Sequence, residues 1–178
     1  MGGIVIIDIQ DVKVEKLSKV HNLELFDWGD SDINEFLKED ALKWQEKKLA
    51  STRIFIYNEE IIGFFCCSGD CIKLKTEEKK EADLHRKPIR EVPAIKIGRL
   101  GRDKKYKGQN IGSLILHWAI GYIQTMSEHV GIRYITVDSY PDKIQWYKKN
   151  GFTQNQHKDY KDREHASMRF DLYNPPKK

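Results

Sequence analysis

Residues 96–118 read KIGRLGRDKKYKGQNIGSLILHW, an order of residue types that predicts a strand, a tight basic loop and a helix. Ile95, Ile97 and Leu100 supply apolar side chains to the strand, and Gly101 interrupts it, which indicates a bulge or a close backbone approach. A strand that enters a helix through a glycine-containing loop leaves free N–H groups at the helix N-terminus, and such groups bind phosphate. The helix is indicated by apolar residues that recur at helical spacing: Ile111, Leu114, Ile115, Trp118, Ala119, Tyr122, Ile123 and Met126.

The basic loop differs from two common phosphate-binding loops, since it has neither the Gly-Lys-Ser/Thr of a Walker loop nor the Gly-x-Gly-x-x-Gly of a Rossmann fingerprint. Residues 107–112, KGQNIG, instead resemble motif A of the GNAT N-acetyltransferase superfamily, Arg/Gln-x-x-Gly-x-Gly/Ala. Lys107 keeps the cationic character of the first position. Asn110 replaces the middle glycine and is a residue type that tolerates a left-handed backbone. A basic turn before a buried helix is the alternative interpretation.

Composition predicts a single globular domain over residues 1–178, because 39% of the residues are hydrophobic and 33% are charged. No apolar run approaches the ~20 residues of a membrane span, and the N-terminal segment lacks the basic start of a signal peptide. We therefore expect a cytoplasmic protein with no membrane association. Cys66, Cys67 and Cys71 have no partner cluster at zinc spacing, so we expect small core or near-core thiols and no metal site.

The first half of the chain predicts a strand, a helix and a hairpin. The first strand lies in residues 4–7 or in the alternating segment that contains Val12, Val14 and Leu17. Residues 53–57 and 61–67 form two strands joined by a short loop. Residues 71–92 carry seven basic and five acidic residues, which favours an exposed, mobile connection. Between the first strand and the hairpin, Ser31 or Asp32 is expected to cap a helix whose apolar face carries Ile33, Phe36, Leu37, Ala41 and Trp44.

The second half predicts a strand at residues 133–138, a short helix that begins near Pro141, and a closing strand at residues 167–173. Asn150 and Gly151 are expected to end the short helix with a left-handed residue. Residues 174–178 are expected to form a frayed tail. The complete order is strand, helix, strand, strand, central strand, helix, strand, helix, strand.

This order resembles the GNAT layout over nearly the whole chain. Residues 146–152, WYKKNGF, are also similar to motif B of that superfamily, Phe/Leu-Tyr-x-x-x-Gly-Phe. The resemblance implies an α/β (α+β) GNAT fold, with a mixed and mostly antiparallel sheet of six or seven strands, about four flanking helices and a splayed central strand pair.

Two further segments resemble the GNAT toxins that acetylate aminoacyl-tRNA. Residues 26–29, FDWG, are similar to their Phe-Asp-Cys-Gly start, with Trp28 at the cysteine position. Residues 97–103, IGRLGRD, are similar to their central strand Leu-Gly-Arg-Leu-Ala-Val-Asp, with Arg102 at an apolar position. This resemblance implies acetyl-CoA as co-substrate, aminoacyl-tRNA as acceptor and an antitoxin as partner, and we also expect that the chain can form a homodimer.

The resemblance to the superfamily also assigns roles to residues. Tyr147 is expected to be the general acid that protonates the leaving thiolate; the alternative is an aromatic core residue beside Trp146. Backbone groups of Leu100, Gly101 and Arg102 are expected to pair with the pantetheine arm of acetyl-CoA. The pyrophosphate is expected at the amides of Lys107, Gly108, Gln109, Asn110, Ile111 and Gly112, with Lys104 and Lys105 adding positive charge. Contacts to the acceptor substrate are expected from Trp28, Arg99 and Lys105.

The predicted central strand has no carboxylate before Asp103, and therefore no evident general base. An amine that arrives largely neutral suits such a site, and an α-amine with a pKa of ~7.7–8 is neutral more often than a lysine amine near 10.4. Glu60, Asp70 and Asp138 remain candidates to act as bases through water. Residues 96–107 carry six basic residues and one acidic residue, a net charge of +5 that serves coenzyme A or follows RNA phosphates.

The sequence therefore predicts an acetyl-CoA-dependent N-acetyltransferase that acts on a primary amine, with the α-amine of aminoacyl-tRNA preferred. The first alternative is an acetyltransferase of the same fold that acts on a protein, peptide or small-molecule amine. The second alternative is a non-catalytic module that binds coenzyme A or nucleic acid, and the altered loop residue Asn110 keeps it open.

Overall fold

The computed structural model describes residues 7–86 and 89–176. Its strands are β1 (Lys13–Lys16), β2 (Ser51–Tyr57), β3 (Glu60–Ile72), β4 (Val92–Arg102), β5 (Tyr134–Ser139), β6 (Thr153–Gln154) and β7 (Ala166–Asp171). Its helices are α1 (Ser31–Glu35), α2 (Ala41–Glu46), α3 (Thr76–Glu81), α4 (Ile111–Ser127) and α5 (Ile144–Lys149), and a π-helical turn (Phe36–Asp40) joins α1 to α2. The strands form one seven-stranded sheet in the order β1-β2-β3-β4-β5-β7-β6. This mixed sheet with helices confirms the predicted fold class.

The first strand and the first helix refine two of the predictions. β1 lies in the second of the two candidate segments; in the first candidate, residues 4–6 are outside the described residues. The cap of α1 is Asp30 and neither Ser31 nor Asp32, because the extended backbone of Asp30 lets its carboxylate accept the N–H of Asp32 at 2.8 Å. The predicted apolar face is buried at Ile33, Phe36, Leu37 and Ala41, with Trp44 at its edge.

The chain divides into two compact units, which in the described part are residues 7–68 with 98–119, and residues 69–86 and 89–97 with 120–176. In the first unit, β1, β2 and the start of β3 pair antiparallel. A two-residue turn with positive φ at Asn58 and Glu59 joins β2 to β3, as the predicted hairpin requires. The core of this unit contains Leu17, Phe26, Ile33, Phe36, Leu37, Ala41, Ile54, Phe64 and Cys66.

The second unit contains the pairings of β5. Its parallel ladder with β4 covers Ala94–Lys96 opposite 134–136, whereas its antiparallel ladder with β7 covers the whole of β5. β4 continues to Arg102 beyond this short ladder. Gly151 adopts φ +87° and ends α5, which confirms the left-handed stop. Five buried residues form a core cluster of this unit: Ile72, Leu74, Val92, Ala94 and Tyr134.

Residues 71–92 are more ordered than predicted, and the prediction of a charged connecting loop is wrong for their first half. β3 extends to Ile72, and α3 covers Thr76–Glu81. Glu78 on α3 is only 6% exposed, because its Oε1 accepts a 2.6 Å hydrogen bond from Arg169 Nη1. A run of charges in the sequence does not reveal a partner so distant along the chain. Residues 87 and 88 lie outside the described residues.

The cysteines are only partly as predicted. Cys66 and Cys67 are buried, and burial raises the pKa of the Cys66 thiol to about 11. Cys71 is exposed, contrary to the expectation of a near-core thiol, because side chains alternate between the two faces near the end of β3.

The predicted frayed tail is anchored as far as residue 176. The N–H of Asn174 donates to Asp171 Oδ1 at 3.1 Å, and Pro176 lies against Gly151. Residues 177 and 178 are outside the described residues. No helix in residues 7–86 and 89–176 combines the length and the apolarity that a membrane span needs.

Candidate functional site

The N-terminus of α4 carries a group of free backbone donors. Positive φ values at Gly108 (+87°) and Asn110 (+58°) turn the loop into the helix, as expected for an asparagine that replaces glycine. The first helical hydrogen bond runs from the N–H of Leu114 to the carbonyl of Asn110 at 3.0 Å. Before it, within the described residues, no acceptor bonds to the N–H groups of Gly108, Asn110, Ile111, Gly112 and Ser113. These donors and the dipole of a 17-residue helix form an anion-binding arrangement.

Asp103 holds the start of this loop in place. Its side chain is only 2% exposed, and its two oxygens accept the N–H groups of Asp27 at 3.0 Å and Lys105 at 2.8 Å. Its own N–H donates to the carbonyl of Ile62 at 2.8 Å. Sequence reasoning noted Asp103 only as the first carboxylate after the strand, although an aspartate that precedes a turn often caps it. With both oxygens engaged, Asp103 serves the shape of the loop.

Gly101 permits a close approach at the end of β4. A Cβ atom at this position would lie 2.9 Å from Trp28 Cδ1 and 3.0 Å from Phe64 Cε1, so an alanine would force these rings to move. The close approach predicted at Gly101 is therefore observed. Trp28, predicted to contact substrate, packs against the core of the first unit. The neighbours of Gly101, Leu100 and Arg102, are half-buried.

Most of the basic side chains in residues 96–107 are paired within the chain. Lys105 Nζ lies 3.0 Å from Glu60 Oε2, and Lys104 forms an ion pair with Asp27. The hydrogen bond from Lys104 lowers the pKa of Asp27 to about 2, and the bond from Lys105 lowers the pKa of Glu60. These two lysines, expected to add free positive charge, are therefore largely neutralised.

Two further basic residues of the same stretch also have acidic partners. Lys96 Nζ lies 2.8 Å from Asp138 Oδ2, and the Arg99 guanidinium lies 3.6 Å from Asp32 Oδ2 and 4.3 Å from the ring centre of Phe36. Four of the six basic residues thus pair with acids outside residues 96–107, and the local net charge falls from +5 to +1. Within the part of the chain that the structure describes, no ion pair involves the other two, Arg102 and Lys107.

Tyr147 belongs to the second unit, on α5. Its ring makes edge-on contacts with Trp146 (4.8 Å between ring centres) and Phe152 (5.3 Å), and the N–H of Phe152 donates to the Tyr147 carbonyl at 3.0 Å. The hydroxyl group has no hydrogen-bond partner among the described residues, and burial raises its pKa to about 12. Tyr147 is half-buried, with its ring fixed by these two contacts, while the hydroxyl remains available as a proton donor.

The second unit also contains a pocket of about 310 Å³ that sequence reasoning missed. Asp70 of β3, Lys96 of β4 and Tyr160 are among the residues that line it. Asp70, one of the three carboxylates considered as bases, accepts a hydrogen bond of 2.5 Å from the hydroxyl of Thr136 on β5. No local sequence signal marks this pocket, since its lining comes from three separate segments.

The loop residues fit the diphosphate of coenzyme A. Besides the free N–H groups, Gln109 carries a buried side-chain oxygen that has no partner among the described residues. This oxygen is an acceptor, so a ligand would satisfy it with an N–H or O–H group and not with a phosphate oxygen. Free donors, positive φ at Gly108 and an unsatisfied side-chain amide are properties of a loop that is built around a ligand.

No protein-family model matches the chain. A relative from Mycobacterium tuberculosis, described as a tRNA-acetylating toxin, is 22% identical over 128 residues, which are 72% of this chain and 75% of the relative.

Solved structures with a similar fold include toxins of the same kind. AtaT complexed with acetyl-methionyl-tRNAfMet superimposes with a TM-score of 0.80 at 22% identity, over 92% of this chain and 96% of AtaT. A tyrosine-to-phenylalanine mutant of KacT superimposes with a TM-score of 0.79 at 19% identity, over 92% of this chain and 96% of KacT. A third structure is a tyrosine-to-phenylalanine mutant of AtaT bound to the C-terminus of the antitoxin AtaR and acetyl-CoA. It superimposes with a TM-score of 0.73 at 21% identity, over 92% of this chain and 94% of AtaT. The chain therefore has the GNAT fold of the toxins AtaT and KacT.

Proposed function

We propose that this chain is an acetyl-CoA-dependent N-acetyltransferase whose acceptor is the α-amine of aminoacyl-tRNA. The observation that carries the proposal is the set of unpartnered N–H groups at the start of α4, directly after β4, in a chain with the fold of AtaT. By analogy with AtaT, which was solved with the antitoxin AtaR, an antitoxin is the expected protein partner.

In this proposal the donor site is formed by the loop and the end of β4. The backbone N–H groups at residues 108 and 110–112 bind the diphosphate, and Lys107, which is exposed, adds a positive charge. Gln109 Oε1 accepts an N–H or O–H of the ligand outside its diphosphate, and the backbone of Leu100, Gly101 and Arg102 pairs with the pantetheine arm. When bound, acetyl-CoA supplies an activated acetyl thioester.

Tyr147 acts as the general acid in this proposal. Its hydroxyl group donates a proton to the sulfur as the thiolate leaves. A phenol is ordinarily a weaker acid than a thiol by about 1.5 pKa units, so the transfer needs a positioned hydrogen bond. Because burial raises the pKa of Tyr147 to about 12, the proton moves only as negative charge develops on the sulfur in the transition state. The free hydroxyl and the fixed ring support this role.

An α-amine acceptor is favoured because the carboxylates considered as bases are largely engaged. In the unit that contains the donor loop, Asp103 is held by two backbone donors and Glu60 is paired with Lys105; in the other unit, Asp138 is paired with Lys96. An amine that is mostly neutral at physiological pH reacts without a strong base, and α-amines meet this condition better than lysine side chains. Substrate contacts from Trp28, Arg99 and Lys105 belong to the same proposal.

One observation favours the alternative, a small-molecule or peptide amine as acceptor. The basic stretch at residues 96–107 is largely neutralised by its own acidic partners, which weakens the electrostatic case for RNA. RNA binding by this stretch would have to exchange ion pairs within the chain for phosphate contacts, and the exchange would be sensitive to salt.

The deciding experiment measures thiol release from acetyl-CoA with different acceptors. Charged tRNA, uncharged tRNA, an amino-acid methyl ester and a lysine-containing peptide are compared at one pH and salt concentration, and acetyl-CoA binding is measured by calorimetry. Release that is fastest with charged tRNA supports the proposal. Faster release with the peptide supports the alternative, and binding without release on any amine identifies a non-catalytic module.

A further inference from the structure

We propose that the pocket of the second unit binds a free basic amino acid, such as lysine or arginine. Such a site lies within the second unit alone, and it is independent of the proposed acetyltransferase activity. Its recognition groups are the carboxylates of Asp70 and Glu91 and the guanidinium of Arg163, which all line this pocket.

The pocket is formed by three segments of the second unit: residues 70–73 at the end of β3, residues 91–96 at the start of β4, and residues 159–167 before and within β7. The hydroxyl of Tyr160 accepts the N–H of Lys73 at 2.9 Å, which holds the third segment against the first. The volume of about 310 Å³ lies at the lower end for small-molecule sites. A ligand of the size of one amino acid therefore fits.

Two carboxylates of the pocket each keep one oxygen for a ligand. Asp70 is half-buried, its Oδ2 accepts the Thr136 hydroxyl at 2.5 Å, and its Oδ1 has no partner in the described part of the chain. Glu91 Oε2 accepts the thiol of Cys71 at 3.4 Å, and this bond raises the pKa of Cys71. The thiol thus stays protonated, and Glu91 Oε1 remains free to accept an N–H group.

The guanidinium of Arg163 is held in position with its two terminal nitrogens free. It stacks on the Tyr160 ring, 4.6 Å from the ring centre, and its Nε donates to the carbonyl of Asp159 at 3.0 Å. Among the described residues, no acceptor bonds to its terminal nitrogens. Two such nitrogens bind both oxygens of a carboxylate end-on.

The two lysines of the pocket already have acidic partners. Lys73 Nζ lies 2.8 Å from Asp159 Oδ2, and Lys96 Nζ lies 2.8 Å from Asp138 Oδ2. The hydrogen bond between the first two raises the pKa of Lys73 and lowers the pKa of Asp159, so both groups stay ionised. These pairs add no net charge that a ligand has to balance.

The charges that remain are two carboxylates and one guanidinium. Although they line one pocket, no ion pair joins Arg163 to Asp70 or Glu91 in residues 7–86 and 89–176. A basic amino acid supplies the complement, because its two cationic groups match the carboxylates and its α-carboxylate matches the guanidinium. A diamine would leave the guanidinium unpaired, and a dicarboxylic amino acid would bring a second negative charge to a pocket with one cation.

Calorimetry on the wild-type chain tests this complement with L-lysine and two analogues that each lack one charged group. Norleucine lacks the side-chain amine, and cadaverine lacks the carboxylate. We expect saturable binding of L-lysine, weakened by added salt, and about tenfold weaker binding of each analogue, because one charge-assisted contact is lost. Saturable binding of neither lysine nor arginine, or binding of glutamate as tight as that of lysine, would overturn the proposal.

Variants locate the site and assign the contacts. Arg163→Gln should weaken the binding of L-lysine about tenfold and leave that of cadaverine unchanged, because only lysine has the carboxylate that this residue would hold. Asp70→Asn should weaken the binding of both. The matched control is Lys161→Gln, at an exposed residue outside the pocket lining. Equal losses with lysine and cadaverine in Arg163→Gln, or lysine affinity unchanged in Asp70→Asn, would contradict the assignment. The titrations contain no acetyl-CoA, so their failure and a failure of the proposed acetyltransferase activity are distinguishable.

Discussion

Replacing Tyr147 with phenylalanine removes one hydroxyl group and tests the general acid directly. Among the described residues this hydroxyl has no hydrogen-bond partner, and the ring keeps its contacts with Trp146 and Phe152 in the variant. Because no buried donor or acceptor is left unpaired, we expect the free energy of unfolding to change by less than about 0.5 kcal/mol. A loss of turnover in Tyr147→Phe then reports on the chemical step.

The size of the loss and its pH dependence follow from the environment of Tyr147. A general acid is worth at least about tenfold in turnover, which is about 1.4 kcal/mol of activation free energy. The acid acts in its protonated form, and burial keeps that form dominant up to a pKa of about 12. Wild-type turnover should therefore rise with pH as the amine loses its proton and then stay level to about pH 10. Tyr147→Phe should show the same rise to a lower plateau.

The assay is thiol release at saturating acetyl-CoA and amino-acid ester from pH 6 to 10, with calorimetry for acetyl-CoA affinity. Tyr173→Phe is the matched control, because Tyr173 is 74% exposed in the same unit. Equal plateaus for Tyr147→Phe and the wild type would refute the assignment of the acid. A wild-type decline centred at an ordinary tyrosine pKa of ~10 would refute the argument from burial.

Three further predictions concern stability, the loop and the acceptor. Glu78→Ala leaves the largely buried Arg169 of β7 without its counter-charge, so we expect the free energy of unfolding in urea to fall by about 3–5 kcal/mol. A fall below about 1 kcal/mol would show that the pair is unimportant for stability. Asn110→Gly removes the side chain at a residue with positive φ, so we expect equal or higher stability and an unchanged affinity for acetyl-CoA. A weaker affinity in calorimetry would show that the asparagine side chain contacts the ligand. Lys105→Glu should lower kcat/KM for charged tRNA about three- to tenfold more than kcat/KM for an amino-acid ester. Lys47→Glu is the control for the change in net charge. Equal losses of kcat/KM with the two substrates would indicate a role of Lys105 in cofactor binding.

Local sequence patterns were sufficient for most of the elements. The stripe that begins at Ile111 predicted α4, and Gly151 predicted the end of α5, because helix periodicity and a left-handed stop depend only on near neighbours. The tolerance of asparagine for positive φ predicted the loop conformation at Asn110. These signals predicted the position of the loop between the central strand and its helix, and its backbone conformation.

Partners that are distant along the chain were not predictable in the same way. Glu78 and Arg169 are 91 residues apart, and their pairing turned an expected solvated loop into a partly buried helix. The basic residues 96–107 gave a net charge of +5 in the sequence, yet four of them meet acids that other segments bring to them. A count of charges contains no information about which of them are close in space.

The amino-acid order of this chain fixes its elements, its glycine turns and the free donors at the start of α4, since each of these depends on backbone preferences within a few residues. The tertiary structure determines which charged side chains are paired within the chain and which can meet a ligand. Asp70 and Thr136, 66 residues apart, meet only because β3, β4 and β5 lie side by side in the sheet. Electrostatic interactions depend on distance and burial, and both are properties of the folded chain.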